Sequence, residues 1–159
     1  AQESRGLGDV YKRQDYLQAK ALAEKSIQTG SRAGEIVLAR VLVNQQAGTP
    51  NYPHAISLLQ HAAQDPESDS AVDAQMLLGL IYAGGVHPPE DDAKATQYFK
   101  ESSALSRTGY AEYWAGMLFQ QGEKGFIEPN KQKALHWLNV SCQEGFDTGC
   151  EEFDRISKR

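Results

Sequence analysis

The sequence lacks any apolar run near the roughly 18 residues that a membrane-spanning helix needs. It also lacks the short apolar stretch behind a basic start that marks a secretory leader. A chain opening on AQES is compatible with a leader already removed. Basic charge is scarce: 16 Lys and Arg face 21 Asp and Glu, a net charge of −5, where nucleic-acid binding calls for a basic footprint. The four histidines, His54, His61, His87 and His136, stand apart, and none forms a credible metal pattern with a second ligand three or four residues away. They read as exposed or loop histidines. His87, beside Glu90, Asp91 and Asp92, comes nearest to a cation site, and the loop reading is preferred there too. No nucleophile lies in a pattern with a base. Gly6-Leu7-Gly8 completes no phosphate-binding motif. Asp91-Asp92 and Glu151-Glu152 read as a helix start and a solvated face. The expectation is one soluble domain with no catalytic residues, no metal, no cofactor, no nucleic-acid partner and no membrane insertion.

What is present is repetition. DYLQAKALA at Asp15, NYPHAISLL at Asn51, DDAKATQYF at Asp91 and NKQKALHWL at Asn130 align on Ala19, Ala55, Ala95 and Ala134, spaced by 36, 40 and 39 residues. A period of this length marks a solenoid. Each copy opens on Asp or Asn, whose side chain suits a helix N-cap. Bulk follows at three and four residues past the alanine: Leu22, Leu58 with Leu59, Tyr98 with Phe99, Trp137 with Leu138. A small residue follows at seven: Ser26, Ala62, Ser102, Ser141. These spacings lie on one helical face. We call this helix B.

A second helix, A, precedes three copies. It is built on Leu38-Ala39, Leu78-Gly79 and Ala115-Gly116, each followed by an apolar residue three past the small one: Leu42, Tyr82 and Phe119. Glycine inside a helix costs about 1 kcal/mol against alanine. Its recurrence predicts close helix–helix contact.

In chain order, residues 1–14 fit no A helix, and Gly6 and Gly8 are expected to break any helix there. GLGDVYKRQ looks like a translated adaptor scar; the Gly-rich loop of a truncated repeat is the other reading, and both stay open. Residues 15–159 form the repeat domain. A lone B helix is expected over 15–29, then A and B pairs at 33–45 and 51–64, 71–83 and 91–105, and 109–121 and 130–144. A terminal helix follows at 147–157. His87-Pro88-Pro89 is expected as an exposed loop.

LGLIYAGGVHPPEDDAKATQYFKESS resembles the Sel1-like repeat, a relative of the tetratricopeptide repeat, through Ala74, Leu78, Gly79, Tyr82, Gly84, Gly85, Val86, Asp91, Lys94, Ala95, Tyr98, Phe99 and Ser102. The third repeat matches through Gly116, Phe119, Gly122, Gly125, Lys133, Ala134, Trp137 and Ser141. The first departs more, with Ala39 for glycine and QQAGTPNYP for the loop.

The resemblance implies an all-α, right-handed solenoid of antiparallel helix pairs that binds a protein partner through a concave surface of A helices. By analogy with tetratricopeptide geometry the groove positions are Arg40, Val43, Met76, Leu80, Ala83, Tyr113, Met117 and Gln120. Packing against the neighbouring A helix is the alternative, and for Met76 and Leu80 both readings stand.

The Cys142-x7-Cys150 spacing resembles the disulfides of cysteine-rich Sel1-like proteins secreted by bacteria; two buried free thiols are the alternative. A bridge would imply a periplasmic or secreted protein. Within that family the resemblance extends to immunity proteins that neutralise secreted toxins, to scaffolds for envelope machinery, and to β-lactam-binding or β-lactam-hydrolysing enzymes. The last would need a Ser-x-x-Lys element, which the sequence does not contain.

Overall fold

The computed structural model describes residues 2–84 and 89–159, and the side chains from residue 12 onward. The eight helices among them are α1 (Gln2–Gln28), α2 (Arg32–Val43), α3 (Tyr52–Ala62), α4 (Asp69–Gly84), α5 (Asp92–Leu105), α6 (Tyr110–Gln121), α7 (Lys131–Gln143) and α8 (Asp147–Ser157). The described residues include no strand, only an isolated bridge between Glu123 and Ile127. The chain is an all-α solenoid: α2, α4, α6 and α8 are A helices, and α1, α3, α5 and α7 are B helices. Of the loop expected at His87-Pro88-Pro89, His87 and Pro88 lie outside the described residues, and Pro89 is exposed.

Three of the four expected caps are made. The Asn51, Asp91 and Asn130 side chains accept the backbone N–H of His54, Lys94 and Lys133 at 3.2, 3.1 and 3.0 Å. Each of these residues also donates its own backbone N–H to the A helix before it. Asn51 reaches the Leu42 carbonyl at 2.8 Å, Asp91 the Tyr82 carbonyl at 3.1 Å, and Asn130 the Phe119 carbonyl at 2.7 Å. One residue therefore caps helix B and ties it to the end of helix A.

Asp15 is the exception, because α1 is already helical before it. Gly6 and Gly8 do not end that helix. Glycine weakens a helix by about 1 kcal/mol through backbone entropy, without the steric clash that proline brings.

The small residues do what their recurrence predicts. A Cβ on Gly79 would stand 2.4 Å from Cε1 of Phe99, and one on Gly116 would stand 2.6 Å from Cγ of Leu138. Both partners are fully buried. The next small position serves as a polar fastener. Ser102 Oγ donates to the Val72 carbonyl at 2.9 Å, and Ser141 Oγ donates to the Gly109 carbonyl at 2.7 Å. In the second and third repeats the lysine ahead of the B-helix alanine lies over the A-helix ring: Lys94 over Tyr82 at 5.0 Å and Lys133 over Phe119 at 5.6 Å. Lys133 Nζ also donates to the Ala83 and Gly84 carbonyls at the end of α4, joining one repeat to the next.

Four residues before each small residue stand Glu35, Gln75 and Glu112. Glu35 accepts from His61 Nδ1 at 2.8 Å. Glu112 is 0% exposed. Its Oε2 accepts from Ser103 Oγ at 2.9 Å, and its Oε1 has no hydrogen-bond partner among the described residues. Burial raises the Glu112 carboxyl above its ordinary range; Glu144 adds to this, while a backbone hydrogen bond, Ser103 and Lys100 oppose it.

Gly79→Val drives two methyl groups into the Phe99 ring and lowers stability by about 1–3 kcal/mol, read as a fall in melting temperature; an unchanged melt would show that the contact yields. Glu112 has a folded pKa above its unfolded one, so its stabilising contribution is present in acid and lost as pH rises through the folded value. Glu112→Gln, which copies Gln75, is expected to melt above the wild type at pH 7, with the difference closing toward pH 4. A difference independent of pH would rule out the carboxylate as its cause.

Candidate functional site

Between α4 and α6 runs a cleft of about 310 Å³. From α4 come Val72, Asp73, Met76, Leu77 and Leu80, and from α6 come Tyr110, Trp114 and Leu118. Arg40 of α2, with Glu123 and Phe126 of the loop after α6, closes the far end. Trp114 is 49% exposed, the most exposed aromatic residue of the described helix surfaces. Its ring meets Tyr110 edge-on at 6.0 Å, and Tyr110 in turn meets the buried Phe146 at 5.8 Å. Arg107 covers the Phe146 ring at 5.0 Å. Edge-to-face contacts of this kind hold a ring in one orientation.

The loop closing the cleft reaches across two repeats. Gln45 donates its backbone N–H to the Gly125 carbonyl at 2.8 Å, and Asn44 Nδ2 donates to the Lys124 carbonyl at 3.2 Å. Gly125 has φ +86°, and a Cβ there would stand 2.2 Å from Asn44 Oδ1, so only glycine fits. Arg40 and Glu123 form an ion pair at 4.0 Å on the rim.

Of the positions expected to face a partner, Arg40, Met76 and Leu80 line this cleft. Val43 is corrected: it is 1% exposed and packs in the core, as does Ala83, so neither offers surface. Tyr113, Met117 and Gln120 are half-buried and lie outside the cleft. Tyr113 rests against Phe146 at 5.3 Å. The cleft takes the α6 face one residue further round, about 100° of helical rotation, with Tyr110, Trp114 and Leu118. Tyr110, Trp114 and Leu118 form an apolar stripe at four-residue spacing that was visible in the sequence. The closing loop had no such signal, because its partner Asn44 lies 80 residues away.

Cys142 and Cys150 are bridged, with Cα atoms 4.6 Å apart, and no cysteine is free. The bridge ties α8 to α7 around Phe146. One repeat earlier the same places hold Ser103 and Ala111, joined by the Ala111 N–H donating to Ser103 Oγ at 3.0 Å. Among the described residues no group of three potential ligands could hold a metal ion. His54 is exposed, His61 pairs with Glu35, and His136 packs against Trp137 at 4.6 Å. His87 lies outside the described residues.

Stacked helix pairs that repeat one cap, one small-residue contact and one clamp define an α-solenoid repeat protein. The Sel1 repeat model matches residues 4–31, 72–106 and 109–146, more than half of the sequence, and the chain belongs to that family. It is 71% identical, over 90% of its length, to the Sel1-repeat-containing protein YjcO of Escherichia coli, and equally so to YjcO of Shigella flexneri. The chain spans 62% of the length of these curated relatives. A crystal structure of a Sel1 repeat protein from Klebsiella pneumoniae superposes with a TM-score of 0.88 and 76% identity, covering 94% of this chain and 73% of that one. A protective antigen of uropathogenic Escherichia coli strains shares the fold alone, at 22% identity and a TM-score of 0.54, over 89% of this chain and 29% of that one.

Replacing the bridge by its counterparts, Cys142→Ser with Cys150→Ala, is expected to cost about 2–3 kcal/mol through the unfolded state. Amide exchange should rise first in α8 and next around Tyr110 and Trp114, which lean on Phe146. Exchange that rises evenly along the chain would contradict that order.

Proposed function

We propose that this chain is a protein-binding scaffold and that the α4–α6 cleft anchors its partner. The observation that carries this reading is Trp114: a half-exposed tryptophan, held in place by Tyr110 and set opposite Met76 and Leu80. Rigid aromatic side chains with methionine beside them are the composition of interface anchors. A stable interface buries about 800 Å² on each side, so the cleft supplies the anchor and the neighbouring A-helix surface, including the exposed Val37, supplies the surround.

The scaffold is read as non-catalytic. Glu112 is sealed in the core, away from any substrate. Among the described residues, no Ser, Thr or Cys side chain is hydrogen-bonded to the ring of the His61–Glu35 pair. The bridge between Cys142 and Cys150 supports placement in an oxidising compartment, the bacterial periplasm or exterior. Neutralising a secreted toxin and assembling envelope machinery are two uses of such a face, and the identity of the partner separates them.

Photo-crosslinking in the producing cell tests the reading. Benzoylphenylalanine at position 114 is expected to give one discrete adduct, and the same group at position 60, an exposed site on α3, is expected to give none. Equal adducts from both positions, or none from 114, would remove the cleft as the binding face.

A further inference from the structure

The two ends of the cleft differ in charge. At the far end Arg40 and Glu123 neutralise each other. At the near end Asp73 is exposed and has no ion pair or side-chain hydrogen bond among the described residues. No cation lines the cleft beyond Arg40, so the lining carries one uncompensated negative charge, and it lies at Asp73. On the opposite wall stand the rings of Tyr110 and Trp114, whose faces attract cations. Between the ends the lining is apolar.

Size narrows the occupant. Asp73 to Leu80 is seven residues of helix, about 10 Å along the axis, and the whole lined stretch from Val72 is about 12 Å. A cleft of about 310 Å³ over that length takes a line of side chains rather than the full width of a helix, about 10 Å or more. An extended strand with its side chains directed inward presents such a line. At about 3.3 Å per residue, side chains two apart are separated by nearly 7 Å, within the axial rise of about 4.5–10.5 Å that separates Asp73 from Met76 and from Leu80.

We infer that the cleft binds an extended segment of a partner protein carrying a Lys or Arg that pairs with Asp73 and a large apolar side chain two residues away that seats between Met76 and Trp114. This rests on the protein-binding reading and adds the chemistry of the recognised segment. An acidic segment would meet Asp73 with like charge, and a purely apolar one would bury that carboxylate without a partner.

The test is selection of a random linear heptapeptide phage library on the disulfide-intact protein. The expected consensus holds a basic residue two positions from Leu, Phe, Met or Trp. A synthetic peptide of that consensus should lose at least tenfold in affinity with Asp73→Lys and with Trp114→Ala. It should be unaffected by Asp147→Lys, which changes an exposed carboxylate outside the cleft. Circular dichroism shows whether each variant is folded, and exchanging the peptide's basic residue for Glu should restore binding to the Asp73→Lys protein. A consensus without a basic residue, affinity unmoved by Asp73→Lys, or no enrichment at all would overturn the inference. If adducts at position 114 persist in that event, the scaffold reading stands and only the partner chemistry falls; if they too are absent, both fall.

Discussion

The structure depends on the absence of side chains at Gly79 and Gly116. At those two points a B helix lies so close to its A helix that a single added carbon would overlap the buried Phe99 ring or the Leu138 side chain. Dispersion energy accumulates over such contacts because each atom pair sits near its optimal separation. The close approach also sets the other fasteners within reach. Ser102 and Ser141 can donate to carbonyls at the starts of the A helices, Val72 in α4 and Gly109 just ahead of α6, because the helices nearly touch. The clamps from Asp91 and Asn130 then fix how far each pair slides along its own axis. The helix-propensity cost of each glycine is about 1 kcal/mol, small beside the burial of a phenylalanine, at about 1.5–3 kcal/mol.

From that frame the stiffness of the cleft follows by a chain of contacts. The bridge between Cys142 and Cys150 holds α8 on α7. Phe146 sits in the hairpin between them, buried and covered by Arg107. Tyr110 leans on Phe146, and Trp114 leans on Tyr110. A covalent link at the end of the solenoid, where a repeat has only one neighbour to stabilise it, therefore supports a half-exposed ring one repeat inward. The opposite wall needs no such device, because Leu77 and Leu80 are already part of the continuous core.

The caps at Asn51, Asp91 and Asn130 were readable because a cap is local: the side chain reaches a backbone N–H three residues on. The A and B faces were readable because burial follows helical periodicity. Asp15 misled for the same local reason, since a residue suited to capping also sits inside a helix that continues ahead of it. Val43 misled because the face it shares with Arg40 straddles the boundary between cleft and core, and periodicity alone does not separate the two. The bridge stood as one of two readings of the cysteine spacing, and only the crossing of α7 and α8 brings the two Cα atoms within bonding reach.

What the sequence determined by itself is the repeat: its period, the caps of three B helices, and the small residues that admit a neighbour. Those are properties of short segments, and short-range hydrogen bonding and sterics are enough to specify them. What only the tertiary structure decided is the cleft. The rotation of α6 that turns Tyr110, Trp114 and Leu118 toward α4, the docking of Gly125 against Asn44, and the isolation of Asp73 all depend on how one repeat is turned relative to the next. That turn is the sum of many packing contacts between residues far apart in the chain, and no single segment encodes it.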